Sequence, residues 1–178
     1  MQVGFIKKSR TFKLLLICTL PIRTQRIEHM KKIILASTST LFGQEYLEYL
    51  LEELRSFFKG CSTITFIPYA RPGGISHDAY TALAATAFSK INKKVVGLHS
   101  FTDPLEGLAQ AEGIFTGGGN TFLLVQQLHQ LQLINPLKAK IESGTPYLGT
   151  SAGSNIAGPS MKTTNDMPIV YPPSFDTL

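Results

Sequence analysis

Cysteine is scarce: the 178 residues contain two, Cys18 and Cys61. A pair so far apart builds neither a disulfide framework nor a zinc site. Both are expected as free thiols in a reducing compartment. Long apolar runs are missing too. None reaches the roughly 18 residues that a membrane-spanning helix needs. There is no internal repeat and no low-complexity segment. Charged residues make up only 16% of the chain against 43% hydrophobic, a globular composition whose length fits one domain. Histidine is sparse and unevenly placed. His29, His77, His99 and His129 all precede residue 151.

The formal charge is +5, but its location matters more than its size. Residues 1–29 hold Lys7, Lys8, Arg10, Lys13, Arg23 and Arg26 against Glu28 alone. The whole surplus lies there, and the remainder balances. A neutral body with a basic tail offers no broad electrostatic footprint for nucleic acid. Neither nucleic acid nor a membrane is therefore expected as a partner.

Residues 1–29 have a basic start and a short apolar run, Leu14 to Leu20. No small-x-small cleavage site follows cleanly. "KKIILAST", directly after Met30, reads as the opening strand of a domain. The expectation is an N-terminal extension over 1–29 outside the fold, and an α/β domain over 30–178.

From Met30 onward, strand and helix patterns alternate. "KIILAS" (Lys32 to Ser37) is a short apolar run of the kind found in buried strands. "GQEYLEYLLEELRSFFKG" has apolar residues at helical spacing and stops at Gly60. "STITFIPY" is a second strand, and "RPGG" breaks the chain. Ser76 caps a helix expected through about Asn92. "KKVVGLHS" is a third strand. Asp103-Pro104 opens a short helix. "EGIFTGGG" is a fourth strand running into glycines. "NTFLLVQQLHQLQL" and "NPLKAKIESG" read as two helices, and "TPYLGT" as a fifth strand. Strands separated by helices predict an α/β fold, a mainly parallel sheet with helices on both faces. Ligands of such sheets bind beyond the carboxyl ends of the strands. "TGGGN" and "GTSAG" both follow strands, so both belong at that edge.

"GTSAG" has the frame G-x-S-x-G between a strand and a helix, the pattern of a nucleophile elbow. There Ser151 would lift its hydroxyl above the sheet, and Gly149 and Gly153 would let strand and helix pack around the turn. The Ala152 N–H would face a developing oxyanion, with the helix dipole assisting. Taken alone, the frame also fits a capping serine in a Gly-rich turn. "TGGGNTF" lets backbone N–H groups approach a ligand closely and could complete an oxyanion hole. It also fits a phosphate-binding turn or a helix start capped by Asn120. No Lys-Ser/Thr follows, which excludes a P-loop. Asp166 is the only carboxylate close after the serine; on spacing alone it also fits a turn residue.

Together "ASTSTL", "FIPYA", "DPLEGLAQAEGIFTGGGNTF", "PYLGTSAGSNIAGPSMKTTNDMPIV" and the closing "FD" resemble the peptidase E family of aspartyl dipeptidases, over residues 30–178. The resemblance implies a class I glutamine amidotransferase-like (flavodoxin-like) fold, with serine where the amidotransferases have cysteine. It implies Ser151 as nucleophile, an oxyanion hole from Gly118, Gly119 and Ala152 with Asn120 in the same loop, and a functional Asp166 near the site. It implies a cytoplasmic protein acting on small peptides with N-terminal aspartate, with no cofactor or metal, monomeric at full length.

The family completes its triad with a histidine and an acidic residue farther along. The 178 residues hold no histidine after Ser151. The expectation is a chain truncated at its C-terminal end and impaired as an enzyme, with an uncovered sheet edge. Two alternatives come with it. One is a non-catalytic relic or small acidic ligand-binding domain of the same fold. The other is a cyanophycinase-like hydrolase. Of the earlier histidines, His77 lies near a strand end and could approach the active edge, whereas His99 and His129 read as ordinary surface or helix residues.

Overall fold

The computed structural model describes residues 30–178, so the expected extension over 1–29 and Cys18 lie outside the described residues. Five strands form one sheet: β1 (Ile33–Ala36), β2 (Thr63–Ile67), β3 (Lys94–Gly97), β4 (Gly113–Thr116) and β5 (Tyr147–Thr150). Their spatial order is β1-β5-β4-β2-β3. Every pairing is parallel. The expected α/β, parallel, doubly covered architecture is what forms.

Alternation along the strands sorts side chains to two faces. Phe66, Phe115 and Leu148 point to a layer made by α1 (Leu51–Phe57) and α2 (His77–Ser89), with Leu54, Phe58, Tyr80, Ala84 and Phe88. Ile67, Ile114 and Tyr147 point to the other layer. That layer comes from α3 (Pro104–Ala109), α4 (Thr121–Gln130), α5 (Ile134–Glu142) and the short α6 (Ala152–Asn155). The central strands β4 and β5 are buried along their whole length, which is why they read as unbroken apolar runs.

Local sequence explains the helix boundaries. Ser76 Oγ accepts the Ala79 N–H (3.1 Å), Asp103 the Leu105 N–H (2.8 Å) and Asn120 the Leu123 N–H (3.1 Å). In α4 the buried residues Thr121, Leu124, Val125 and Leu128 recur at helical spacing. The helix expected from about Gly43 forms only partly. A 3-10 turn at Glu48–Leu50 precedes α1, because Leu47 takes a left-handed φ of 58° and is buried in that conformation.

Two features of topology matter for function. The chain leaves β2 toward α2 on one face and leaves β4 toward α4 on the opposite face. β2 and β4 are neighbours, so their carboxyl ends form a topological switch point, the place where ligands of open α/β sheets bind. At the edge of the sheet, β1 leaves Ile33 37% and Leu35 53% exposed.

Candidate active site

Ser151 follows directly on β5 and precedes α6. Its backbone sits at φ 49°, ψ −111°, a conformation non-glycine residues rarely adopt. Several hydrogen bonds hold it there. The Ser151 N–H donates to Ala36 O on β1 (2.9 Å), and the Ser151 carbonyl accepts from the N–H groups of Ser154 and Asn155 (2.8 and 3.0 Å). Ser154 Oγ lies between Ala36 O (2.8 Å) and Gly149 O (2.7 Å), tying α6 to both strands. The buried Tyr147 hydroxyl donates to Gly153 O (2.7 Å). Burial pushes that phenol far above its ordinary pKa, so it stays a neutral donor.

The glycines of the frame are steric requirements. A Cβ on Gly149 would lie 2.6 Å from the carbonyl carbon of Gly153. One on Gly153 would lie 2.9 Å from the carbonyl carbon of Thr116 and closer still to its oxygen. The helix thus approaches β5 and β4 closer than any side chain permits.

The loop after β4 reaches the same place. A Cβ on Gly118 would stand 3.1 Å from Ser151 Cβ, so the Gly118 backbone is packed against the serine. Gly119 has φ 150° and sits on the Ala70 carbonyl, whose carbon would be 2.6 Å from an added Cβ. Tyr80 donates its hydroxyl to Gly118 O (3.1 Å), which fixes the peptide plane. The Asn120 N–H donates to Ala70 O (2.7 Å), tying the loop after β4 to the segment after β2. Among the described residues, the N–H groups of Gly118, Gly119 and Ala152 and the Ser151 hydroxyl have no hydrogen-bond partner. Gly119 and Ser151 are partly exposed, whereas Gly118 and Ala152 are buried.

Asn120 and Asp166 are both committed to protein contacts. Asn120 uses Oδ1 to cap α4 and Nδ2 to hold Met167 O (2.8 Å). The half-buried Asp166 accepts with one oxygen from both the Thr121 N–H (2.7 Å) and the Thr121 hydroxyl (2.5 Å). Thr121 in turn bonds Asn155 Nδ2 (3.0 Å) and the Thr164 hydroxyl (3.1 Å). Asp166 therefore reaches α6 through Thr121 and Asn155. The carboxylate binds the N-terminus of α4, one residue beyond the glycine loop.

None of the contacts of the described histidines is to Ser151. His77 opens α2, with its ring 5.4 Å from Tyr69 and 5.3 Å from His99. His99 Nε2 pairs with Asp78 (2.9 Å) while its Nδ1 is buried without a partner, so it is not an ordinary surface residue. His129 contacts the Asp176 carbonyl (3.1 Å). No cluster of metal-ligating side chains occurs among the described residues.

Sequence reading missed several members of the site. Tyr80, Thr121, Asn155 and Thr164 act through side-chain contacts whose spacing leaves no pattern.

Fold and turn together define an α/β protein of the class I glutamine amidotransferase-like, flavodoxin-like type, with a serine at an elbow. Comparison with known proteins agrees. The model of "Peptidase family S51" matches residues 33–178, and the chain belongs to that family. It is 42% identical over 151 residues to "Probable alpha-aspartyl dipeptidase" of Drosophila melanogaster, covering 83% of this chain and 62% of that one. It is 43% identical over 146 residues to "Peptidase E" of Streptomyces coelicolor, with coverage of 82% and 59%. The chain thus spans about three fifths of the length of these curated relatives. In fold it is similar to a crystal structure of a putative peptidase E protein from Listeria monocytogenes, with TM-score 0.62 and 23% identity, covering 83% of this chain and 74% of that one. The resemblance to peptidase E read from the motifs is borne out.

Proposed function

We propose that the site is that of a serine-type dipeptidase that forms an acyl-enzyme on Ser151 and accepts peptides with an N-terminal aspartate. The observation that carries this reading is the strained backbone of Ser151 between a buried strand and a helix, packed against the Gly118 backbone, with the N–H groups of Gly118, Gly119 and Ala152 unpartnered among the described residues. Strain of this kind costs about 1–3 kcal/mol and persists only where the surroundings enforce it. The substrate class comes from the relative named as an alpha-aspartyl dipeptidase. Acylation joins Ser151 Oγ to the scissile carbonyl carbon and expels the amine of the second residue, which takes up a proton. Water then releases the acyl group. The N–H groups would hold the oxyanion in both steps.

Asp166 is then a positioning residue, fixing the glycine loop through Thr121. Asn120 shapes the same loop rather than touching substrate. His77 packs on Tyr69, His99 pairs with Asp78 and His129 contacts the Asp176 carbonyl, so none of them is assigned as the proton acceptor of Ser151. Without a proton acceptor, such a site keeps only the oxyanion and binding contribution, about 10³–10⁴-fold over water, against a loss on the order of 10⁶.

The test is labelling with a serine-reactive phosphonate, followed by peptide mass spectrometry. Slow labelling at Ser151, abolished in Ser151→Ala, is expected. Equal labelling of the two proteins would refute the reading.

A further inference from the structure

Arg71 follows the buried pair Tyr69-Ala70 at the carboxyl end of β2. Its guanidinium lies over the Tyr80 ring, 4.9 Å from the centroid. That tyrosine is the one whose hydroxyl holds Gly118 O. Tyr80 also meets Tyr46, whose hydroxyl donates to it (3.4 Å). Ala70, the neighbour of Arg71 in the chain, receives the Asn120 N–H and lies beneath Gly119. Arg71 thus lies on the aromatic ring that supports the Gly118 peptide, beyond the carboxyl end of β2.

Arg71 takes part in none of the ion pairs among the described residues and in none of their hydrogen bonds. It is exposed. A guanidinium carries five donors in a planar fork suited to a carboxylate. The stacking on Tyr80 restrains the side chain before a ligand arrives, which lowers the entropy cost of using it.

Resting on the Ser151 reading, we propose that Arg71 binds a carboxylate of the substrate and sets the preference for an anionic peptide. An N-terminal aspartyl dipeptide has two such groups, the aspartyl side chain and the C-terminal carboxylate. Either would be met by the same fork.

The experiment measures binding rather than turnover, by calorimetry on the Ser151→Ala chain. The probes are Asp-Leu, Asn-Leu and Asp-leucinamide. Asp-Leu is expected to bind more tightly than whichever neutral analogue lacks the recognised carboxylate. Arg71→Met should shrink that ratio about tenfold to a hundredfold, the range for losing a charge-assisted hydrogen bond. Arg71→Lys should keep part of it. Which analogue loses its disadvantage in Arg71→Met identifies the carboxylate. Thermal melts check that both variants fold, and Arg71→Lys is the reserve if Arg71→Met does not. No preference in the parent chain, or an unchanged ratio in the variants, overturns the proposal. Phosphonate labelling is read separately. Labelling at Ser151 with an unchanged ratio sinks the Arg71 proposal alone. A ratio lost without labelling sinks the serine reading alone.

Discussion

Gly153 on α6 rests against Thr116 at the end of β4, so close that an added Cβ would collide with the Thr116 carbonyl. The contact sets the height of the elbow helix over the sheet. Gly153→Ala is expected to destabilise the fold by about 1–3 kcal/mol, the usual cost of overpacking. Here the obstructing atoms are backbone and cannot swing aside. Urea denaturation of the variant beside the parent chain checks this; equal midpoints would show that the helix can shift freely.

Ser151 holds a positive φ without being glycine. Ser151→Ala keeps the strain, whereas Ser151→Gly relieves it. The glycine variant should therefore be the more stable of the two by about 1 kcal/mol, after allowance for glycine's greater unfolded-state entropy. Paired thermal melts measure the difference. An alanine variant as stable as the glycine variant would mean that the turn is not strained.

Asp166 binds the first residue of α4 through both the Thr121 N–H and its hydroxyl. Asp166→Ala removes this bond and its negative charge at the helix N-terminus, and should cost about 1–2 kcal/mol. Asp166→Asn keeps an acceptor and should recover part of that. If Asp166 positions the loop, phosphonate labelling at Ser151 should slow in Asp166→Ala and recover partly in Asp166→Asn. A carboxylate that served only stability would leave the labelling rate unchanged in folded protein.

His77 is half-buried among the Tyr69 and His99 rings, next to Asp78, which itself pairs with His99. Burial first and the neighbouring His99 second lower its pKa below the ordinary 6.5, while Asp78 opposes them. A lowered folded-state value means that the unfolded chain takes up this proton first as pH falls. Stability should therefore decline below about pH 6.5 and level off once pH passes the folded value. His77→Asn should reduce the slope in that window. Urea denaturation from about pH 8 to about pH 5 reads it; a slope unchanged in the variant would place the titration elsewhere.

Among the described residues, β1 is an edge strand with Leu35 half exposed. Unpaired edges with apolar side chains template self-association. The 178-residue chain is expected to associate with rising concentration in sedimentation velocity, and Leu35→Lys to weaken that association. A monodisperse parent chain at all concentrations would contradict the expectation.

The sheet was legible because buried strands in parallel sheets are short apolar runs, and Ser76, Asp103 and Asn120 announce helix starts through local hydrogen bonds. The glycine frame around Ser151 was legible because its spacing encodes a turn. The start of the first long helix was not. Leu47 takes a left-handed turn that only its burial in the core enforces. The commitments of Asn120 and Asp166 were hidden as well, since Met167 and Thr121 lie 47 and 45 residues away in the chain.

The sequence by itself determined the α/β class, the two glycine-rich turns at one edge of the sheet, and the serine as the residue to follow. Local rules set these features: side-chain periodicity, capping, and the conformations glycine allows. Tertiary structure alone decided that Gly118 packs against Ser151, that Asp166 grips α4, that the described histidines face other partners, and that Arg71 stands over Tyr80. Those relations arise from strand order and helix packing, which bring together residues that chain spacing leaves unrelated.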